Sequence, residues 1–323
     1  MTTAPEAASS KGVEVTAPSR RIELQEYALV AVVGLILIVG AIIEPGTFLT
    51  SDNMLNVVRQ ASVVGVLAIG MTFVIATGGI DLSVGSMVAA AAVAGGQFAE
   101  SGSVMFILGA LGMGVLLGGI NAGAIAYGRV VPFIATLAMF TMARGIALWM
   151  SDKQPISIFN LEGVRWFGSG EVLGIPAGVI VFVVVTGIAW VLLNRTRYGR
   201  YVIAVGGNRE AARIAGINTK RIVFSVYVLS GICVAIAAIL VTGRLSSASP
   251  IVGTLYELDA IAAVVIGGTA IAGGRATIVG TFLGVITFAL IFNLLTLMDL
   301  AVEIQQVTKG LIILAAVLVQ RRR

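Results

Sequence analysis

The chain has 323 residues and a formal net charge of +5; 58% of its residues are hydrophobic and only 11% charged, with a mean hydropathy of +1.02. A soluble domain carries about 25% charged residues, so this composition excludes a single water-soluble core and requires an integral membrane protein. There is no histidine, which excludes imidazole bases, Ser-His and Cys-His nucleophiles and histidine metal sites.

In chain order, residues 1–23 are rich in Ala, Ser, Thr and Pro and read as a disordered cytoplasmic tail, not a cleavable signal peptide. Charge-poor apolar segments then fall near 24–43, 60–80, 82–99, 104–127, 131–150, 172–194, 222–243, 259–274, 276–298 and 303–320. Measured against the ~20 residues that span ~30 Å of hydrocarbon, they predict an all-α fold with about ten transmembrane segments in one domain over 24–320. The eighth segment is short and reads as a half-helix or re-entrant piece. Placing the N-terminus in the cytoplasm puts 15 of the 21 basic residues on the inner side, and the opposite loops collect most of the acids. Both biases agree with a multi-pass topology in which the two termini are cytoplasmic. The sole cysteine, Cys233, sits in an apolar run as a small core residue.

Two ten-residue stretches share one pattern: TGGIDLSVGS at 77–86 and AGGRATIVGT at 272–281. Each interrupts an apolar segment with a glycine pair, Gly78-Gly79 and Gly273-Gly274, and together they read as an internal repeat. Glycine-broken helices in matching positions point to a transport pathway; the alternative is that each pair marks a tight turn or a close helix contact. The placement of the segments puts both motifs on the cytoplasmic side, as a parallel repeat. Within the first, Asp81 with Ser83 reads either as a helix start, the carboxylate accepting amides of the following turn, or as a contact for substrate or a coupling ion. Gly114-xxx-Gly118, Gly119-xxx-Gly123 and Gly280-xxx-Gly284 are expected to let helices approach closely.

The loop 195–221 is the largest basic connection. Inside it, 208–217 reads as a short capped helix, with Asn208 as N-cap, Glu210 in the first turn and Gly216 at the stop. Ala211, Ile214 and Ala215 share one small face, and Arg209 and Arg213 another. So short a helix needs a partner surface; the other reading is a basic loop lying on anionic membrane lipid. Arg144 and Lys309 interrupt apolar segments and either snorkel or pair internally, Asp259 being one acid within Arg144's reach. Asn121, Thr136 and Asn293 can meet a polar solute or tie helices together. None of the four lysines (Lys11, Lys153, Lys220, Lys309) follows a glycine, so there is no P-loop and any energy from ATP comes from another chain. No catalytic residue, metal, cofactor or nucleic-acid partner is expected.

TGGIDLSVGS at 77–86, VVPFIATLAMFTMARG at 130–145, RYGRYVIAVGGNREAARIAGI at 197–217 and IGGTAIAGGRATIVGTFLG at 266–284, in this order, resemble the ribose-type family of sugar ABC-transporter permeases. The resemblance runs from about residue 24 to the end. It implies a bacterial inner-membrane importer subunit of the ten-helix type with inverted repeats, working as a homodimer with two ATP-binding subunits and an extracytoplasmic solute-binding protein that delivers a monosaccharide. On that plan Asn208, Arg209, Glu210, Ala211, Ala212, Arg213, Gly216 and Ile217 form the coupling helix that docks into the ATPase. The acidic outer stretches, including 152–171 and 257–259, become docking surfaces for the binding protein. The competing readings are an ABC permease for branched-chain amino acids or another polar solute, an ion-coupled secondary transporter, and a membrane-embedded enzyme.

Overall fold

The computed structural model describes residues 19–321, so the tail expected at 1–23 lies outside the described residues up to residue 18, as do residues 322 and 323. The helix α1 (Ser19–Ile43) begins inside the stretch read as tail. Helices α2 (Ser51–Ala76), α3 (Val84–Gly96), α4 (Ser103–Ala126) and α5 (Pro132–Met150) follow, then α6 (Glu162–Ser169), α7 (Ala177–Arg195), α8 (Arg197–Gly207), α9 (Arg209–Ile214), α10 (Thr219–Leu245), α11 (Tyr256–Ile266), α12 (Ile278–Leu297) and α13 (Val302–Arg321). Every apolar segment expected from the sequence falls on a helix. Among the described residues six helices, α2, α4, α5, α7, α10 and α12, are long and apolar enough to cross a membrane. The segments expected at 82–99 and 259–274 yield only the short helices α3 and α11, because glycine-rich turns cut them.

Local chemistry sets the helix starts. Side chains of Thr50, Thr196, Asn208, Asn218 and Thr277 accept amides of the first turns of α2, α8, α9, α10 and α12, supplying acceptors for donors that have no intrahelical partner. Pro132 opens α5, where its missing N–H costs nothing.

A helix apolar all round has to be enclosed, and α3 is: each of its thirteen residues is buried. It packs among α4, α5 and α10. Helix α2 is also central, with 78% of its most apolar window buried, whereas the corresponding figure for α4, α5 and α7 is 28%, which leaves their outer faces for lipid. Without a hydrophobic drive between helices in hydrocarbon, close backbone approach holds the bundle. A methyl built on Gly231 of α10 would lie 2.3 Å from the Gly114 carbonyl of α4, and one on Gly284 of α12 would lie 2.2 Å from the Ala263 carbonyl of α11. Gly119 and Gly123 face nothing within 4 Å, so the close contact expected for that pair does not form, whereas Gly114 and Gly118 do approach α10 closely. Cys233 is buried against Gly70.

Two small sheets close one end of the bundle. Strand β1 (Ile156–Ser157) pairs antiparallel with β4 (Ser247–Ala248), and β2 (Glu171–Val172) with β3 (Ile175–Pro176). The second is a two-residue hairpin whose Leu173 and Gly174 both have positive φ, as a type I′ turn requires. An Arg59–Glu171 ion pair ties this hairpin to α2.

Candidate functional site

The two predicted Gly-Gly motifs, far apart in sequence, touch each other at the end of the bundle opposite the sheets. Helix α2 stops at Ala76 and Gly78 turns the chain with φ +77; beyond α11, Gly273 and Gly274 have φ +85 and +76. The Gly274 amide donates to the Ala76 carbonyl at 3.0 Å, and a methyl on Gly273 would lie 2.7 Å from the Gly78 nitrogen. A third pair, Gly206-Gly207 at the end of α8, closes over this contact: a methyl on Gly206 would lie 1.8 Å from the Ala76 carbonyl oxygen and 2.6 Å from the Gly274 nitrogen. Gly78, Gly206, Gly207, Gly273 and Gly274 thus form a junction made of backbone alone. The third pair was legible as the same dipeptide immediately ahead of the Asn208 cap, but no spacing rule connects it to the other two.

Helix α9 grows directly from this junction. The Asn208 carboxamide oxygen accepts the Ala211 amide at 2.9 Å, and Gly216, φ +84, ends the turn, with the Ile217 amide returning to the Ala212 carbonyl at 3.0 Å. Ala212 is buried and anchors the helix, while Ala211, Ile214 and Ala215 are exposed, Ile214 at 76%. The Arg213 guanidinium donates two hydrogen bonds to Glu210, at 3.0 and 2.6 Å, and so holds the Glu210 carboxyl below its usual range. Arg209 is exposed beside them. A six-residue helix is too short to be stable by itself and depends on its packing through Ala212.

Asp81, Ser83, Asn121 and Thr136 converge on the break between α2 and α3. Asp81 is 1% exposed; one carboxylate oxygen accepts the Ser83 amide at 3.0 Å and the Ser83 hydroxyl, and the other accepts the Ser230 hydroxyl of α10 at 3.3 Å. Asn121 of α4 donates to the Ser83 hydroxyl at 2.9 Å. The Thr136 hydroxyl lies 2.9 Å from the Pro132 carbonyl and 3.3 Å from that of Ile80. Ser83, not Asp81, is the residue immediately before α3, so the carboxylate ties the break to α10 as well as receiving one amide of the turn. Tyr227 belongs here too: a methyl on Gly79 would lie 2.5 Å from its hydroxyl.

Arg144 and Asn293 lie apart from this cluster. Arg144 donates to the carbonyls of Pro250 and Val252 at 2.6 and 3.2 Å. The pairing of Arg144 with Asp259 does not occur, because the loop 246–255 places its carbonyls against Arg144 while Asp259 faces α13 and pairs with Lys309. Nor are Glu257 and Asp259 a surface for another protein. Both belong to α11; Glu257 is buried against Gly85, and the Asp259 side chain is 13% exposed. Asn293 of α12 and Asn53 of α2 exchange hydrogen bonds at 2.8 and 2.9 Å.

The sequence profile of the family described as "Branched-chain amino acid transport system / permease component" matches residues 53–317. The chain is 41% identical to the ribose import permease protein of Escherichia coli over 93% of its own length and 94% of the relative's. It is 44% identical to the ribose import permease protein of Bacillus subtilis over 90% of each chain, and 37% identical to the galactofuranose transporter permease protein of Escherichia coli over 96% and 94%. No solved structure matches. The relatives are transport subunits, and with the apolar helices they make this a multi-pass membrane permease.

Proposed function

This chain belongs to the family of branched-chain amino acid transport system permease components, and from that premise we propose that it is the membrane-spanning subunit of an ATP-driven importer whose cargo is a monosaccharide. Relatives that match over nine-tenths of both chains are named for ribose and for galactofuranose, which favours a sugar over an amino acid.

In this reading the helices cross the bacterial inner membrane ten times, the glycine junction faces the cytoplasm with both termini, and the sheet-capped end faces outward. A second copy of the permease completes the pathway, a solute-binding protein delivers the sugar at the sheet end, and a separate ATPase docks on α9.

The observation that carries the mechanism is the Gly274–Ala76 hydrogen bond with Gly206 packed over it. Displacement of α9 by the ATPase pulls on Gly206-Gly207. That contact has no side chain to absorb the movement, so it shifts the ends of α2 and α11 together. The break at 77–83, tied by Asp81, Ser83 and Asn121 to α4 and α10, carries the shift to the bundle interior. The ATPase can bias the inward- and outward-open states only through its differential affinity for them.

The test is uptake into proteoliposomes holding this chain with its ATPase and binding protein, comparing labelled D-ribose with labelled leucine. Ribose accumulation that needs ATP and is blocked by vanadate is expected. Leucine uptake without ribose uptake, or vanadate-insensitive uptake collapsed by ionophores, would overturn the reading.

A further inference from the structure

Away from the glycine junction, α2, α11, α12 and α13 line a half-open cavity of about 220 Å³, with room for several waters. Its walls sort by chemistry. Phe288 and Phe292 of α12, ring centres 4.6 Å apart, give one aromatic side. Gln60 of α2 and Gln305 of α13 bring carboxamides, and the Asp259–Lys309 ion pair lies across the cavity from α11 to α13. The Lys309 ammonium sits 5.2 Å from the centre of the Phe292 ring, so the pair and the aromatic wall adjoin. The Gln60 side chain is exposed, whereas Ala61 beside it and most of α2 beyond are buried.

Ionisable side chains at membrane depth are costly and mark solute paths even where they pair with one another, and a buried ion pair contributes little to stability by itself. We propose that this cavity is a subsite for the transported solute on its way through the bundle, and that it takes a neutral polyhydroxylated ring. The aromatic wall suits the C–H face of such a ring, the carboxamides can both donate to and accept from its hydroxyls, and the Asp259 carboxylate can accept a hydrogen bond from one of them. A charged solute, or a zwitterionic amino acid, would need free ionic partners, and here the acid and the base already hold each other. The inference rests on the importer reading above and adds the place and the chemistry of contact.

The experiment uses the complete transporter in proteoliposomes, with labelled D-ribose and D-allose as probes. Phe292→Ala, Gln60→Leu and the cavity-filling Ala289→Phe should each lower ATP-dependent uptake about tenfold or more, the scale on which a pocket discriminates when a contact is lost. Co-purification with the ATPase stays at the wild-type level. Phe292→Tyr should retain uptake, and Gln60→Leu should change the ribose-to-allose ratio, which a loss of folding alone would not do. Wild-type uptake and an unchanged ratio in Gln60→Leu and Ala289→Phe would overturn the subsite while leaving the importer standing. Should the wild-type vesicles accumulate neither sugar, the importer reading itself falls, and the subsite with it.

Discussion

Substituting Gly206 by alanine places a methyl where the structure already has the Ala76 carbonyl oxygen, 1.8 Å away, and the Gly274 nitrogen, 2.6 Å away. Both are backbone atoms, so no side chain can swing aside. The methyl must force apart the hydrogen bond that these two atoms make at 3.0 Å. Leaving a buried amide or carbonyl unpaired costs about 1–3 kcal/mol, and forcing an extra carbon into a packed site about 1–3 kcal/mol. Alanine returns about 1 kcal/mol at most in helix propensity, so the net cost is about 1–5 kcal/mol. Gly207 is the internal control. A methyl there has a nearest neighbour at 3.9 Å, the Gly274 Cα, which is ordinary contact, so Gly207→Ala should be neutral or stabilising by less than about 1 kcal/mol. Thermal unfolding of each variant in detergent, together with ribose uptake in proteoliposomes, reads the difference. If the junction transmits movement, a strain of even 2 kcal/mol falling on one of two states shifts their ratio about thirtyfold, so uptake should fall further than stability does. Equal behaviour of the two alanine variants would refute the reasoning.

Lys309→Met should destabilise by about 3–5 kcal/mol, because it strands the Asp259 carboxylate, and adding Asp259→Asn should recover most of that loss; thermal unfolding that ranks the double variant below the single one would contradict the pairing. Gly231→Ala, aimed at the Gly114 carbonyl, should loosen α4 from α10, whereas Gly119→Ala, with open space around it, should leave the melting temperature unchanged or raise it. Ile214→Asp should abolish co-purification with the ATPase and leave membrane insertion intact; retention of the ATPase would exclude the exposed face of α9 as its dock. Because Arg213 depresses the Glu210 carboxyl, their lock is intact above the ordinary carboxylate range and is lost only as pH falls through the lowered value. ATPase association measured across neutral pH should therefore be flat and weaken only in acid, and a transition near neutrality would exclude this pair.

The sequence showed the helices because apolar run length is a property of single segments, and it showed α9 because its cap and stop residues act within a few positions. Asn208 and Gly216 could be read directly. What it could not show is which segments face one another. Gly78-Gly79 and Gly273-Gly274 could be matched as similar strings, yet their mutual contact, and the entry of Gly206-Gly207 between them, depends on how α2, α8 and α11 are packed. Asp259 misled for the same reason: its distance along the chain from Arg144 and from Lys309 says nothing about which cation the helix face presents. Gly119 and Gly123 follow the spacing of a helix seam but lie on the wrong side of α4, one position round from Gly118, where a rotation of the helix moves a residue from contact to lipid. Gln60, Phe288 and Phe292 were missed altogether, since an isolated glutamine or phenylalanine in an apolar run carries no signal until four helices bring such residues to one opening.

The glycine junction is built from main chain, and the solute cavity from side chains. These materials respond differently to mutation. A methyl on Gly206 or Gly273 would meet backbone atoms at 1.8 and 2.7 Å, so the proposed linkage to an ATPase could not drift there without failing, whereas Gln60, Phe292 and Gln305 lie outside that contact. On the two proposals above, a permease assembled this way could change its cargo through a few cavity residues while its transmission stays fixed.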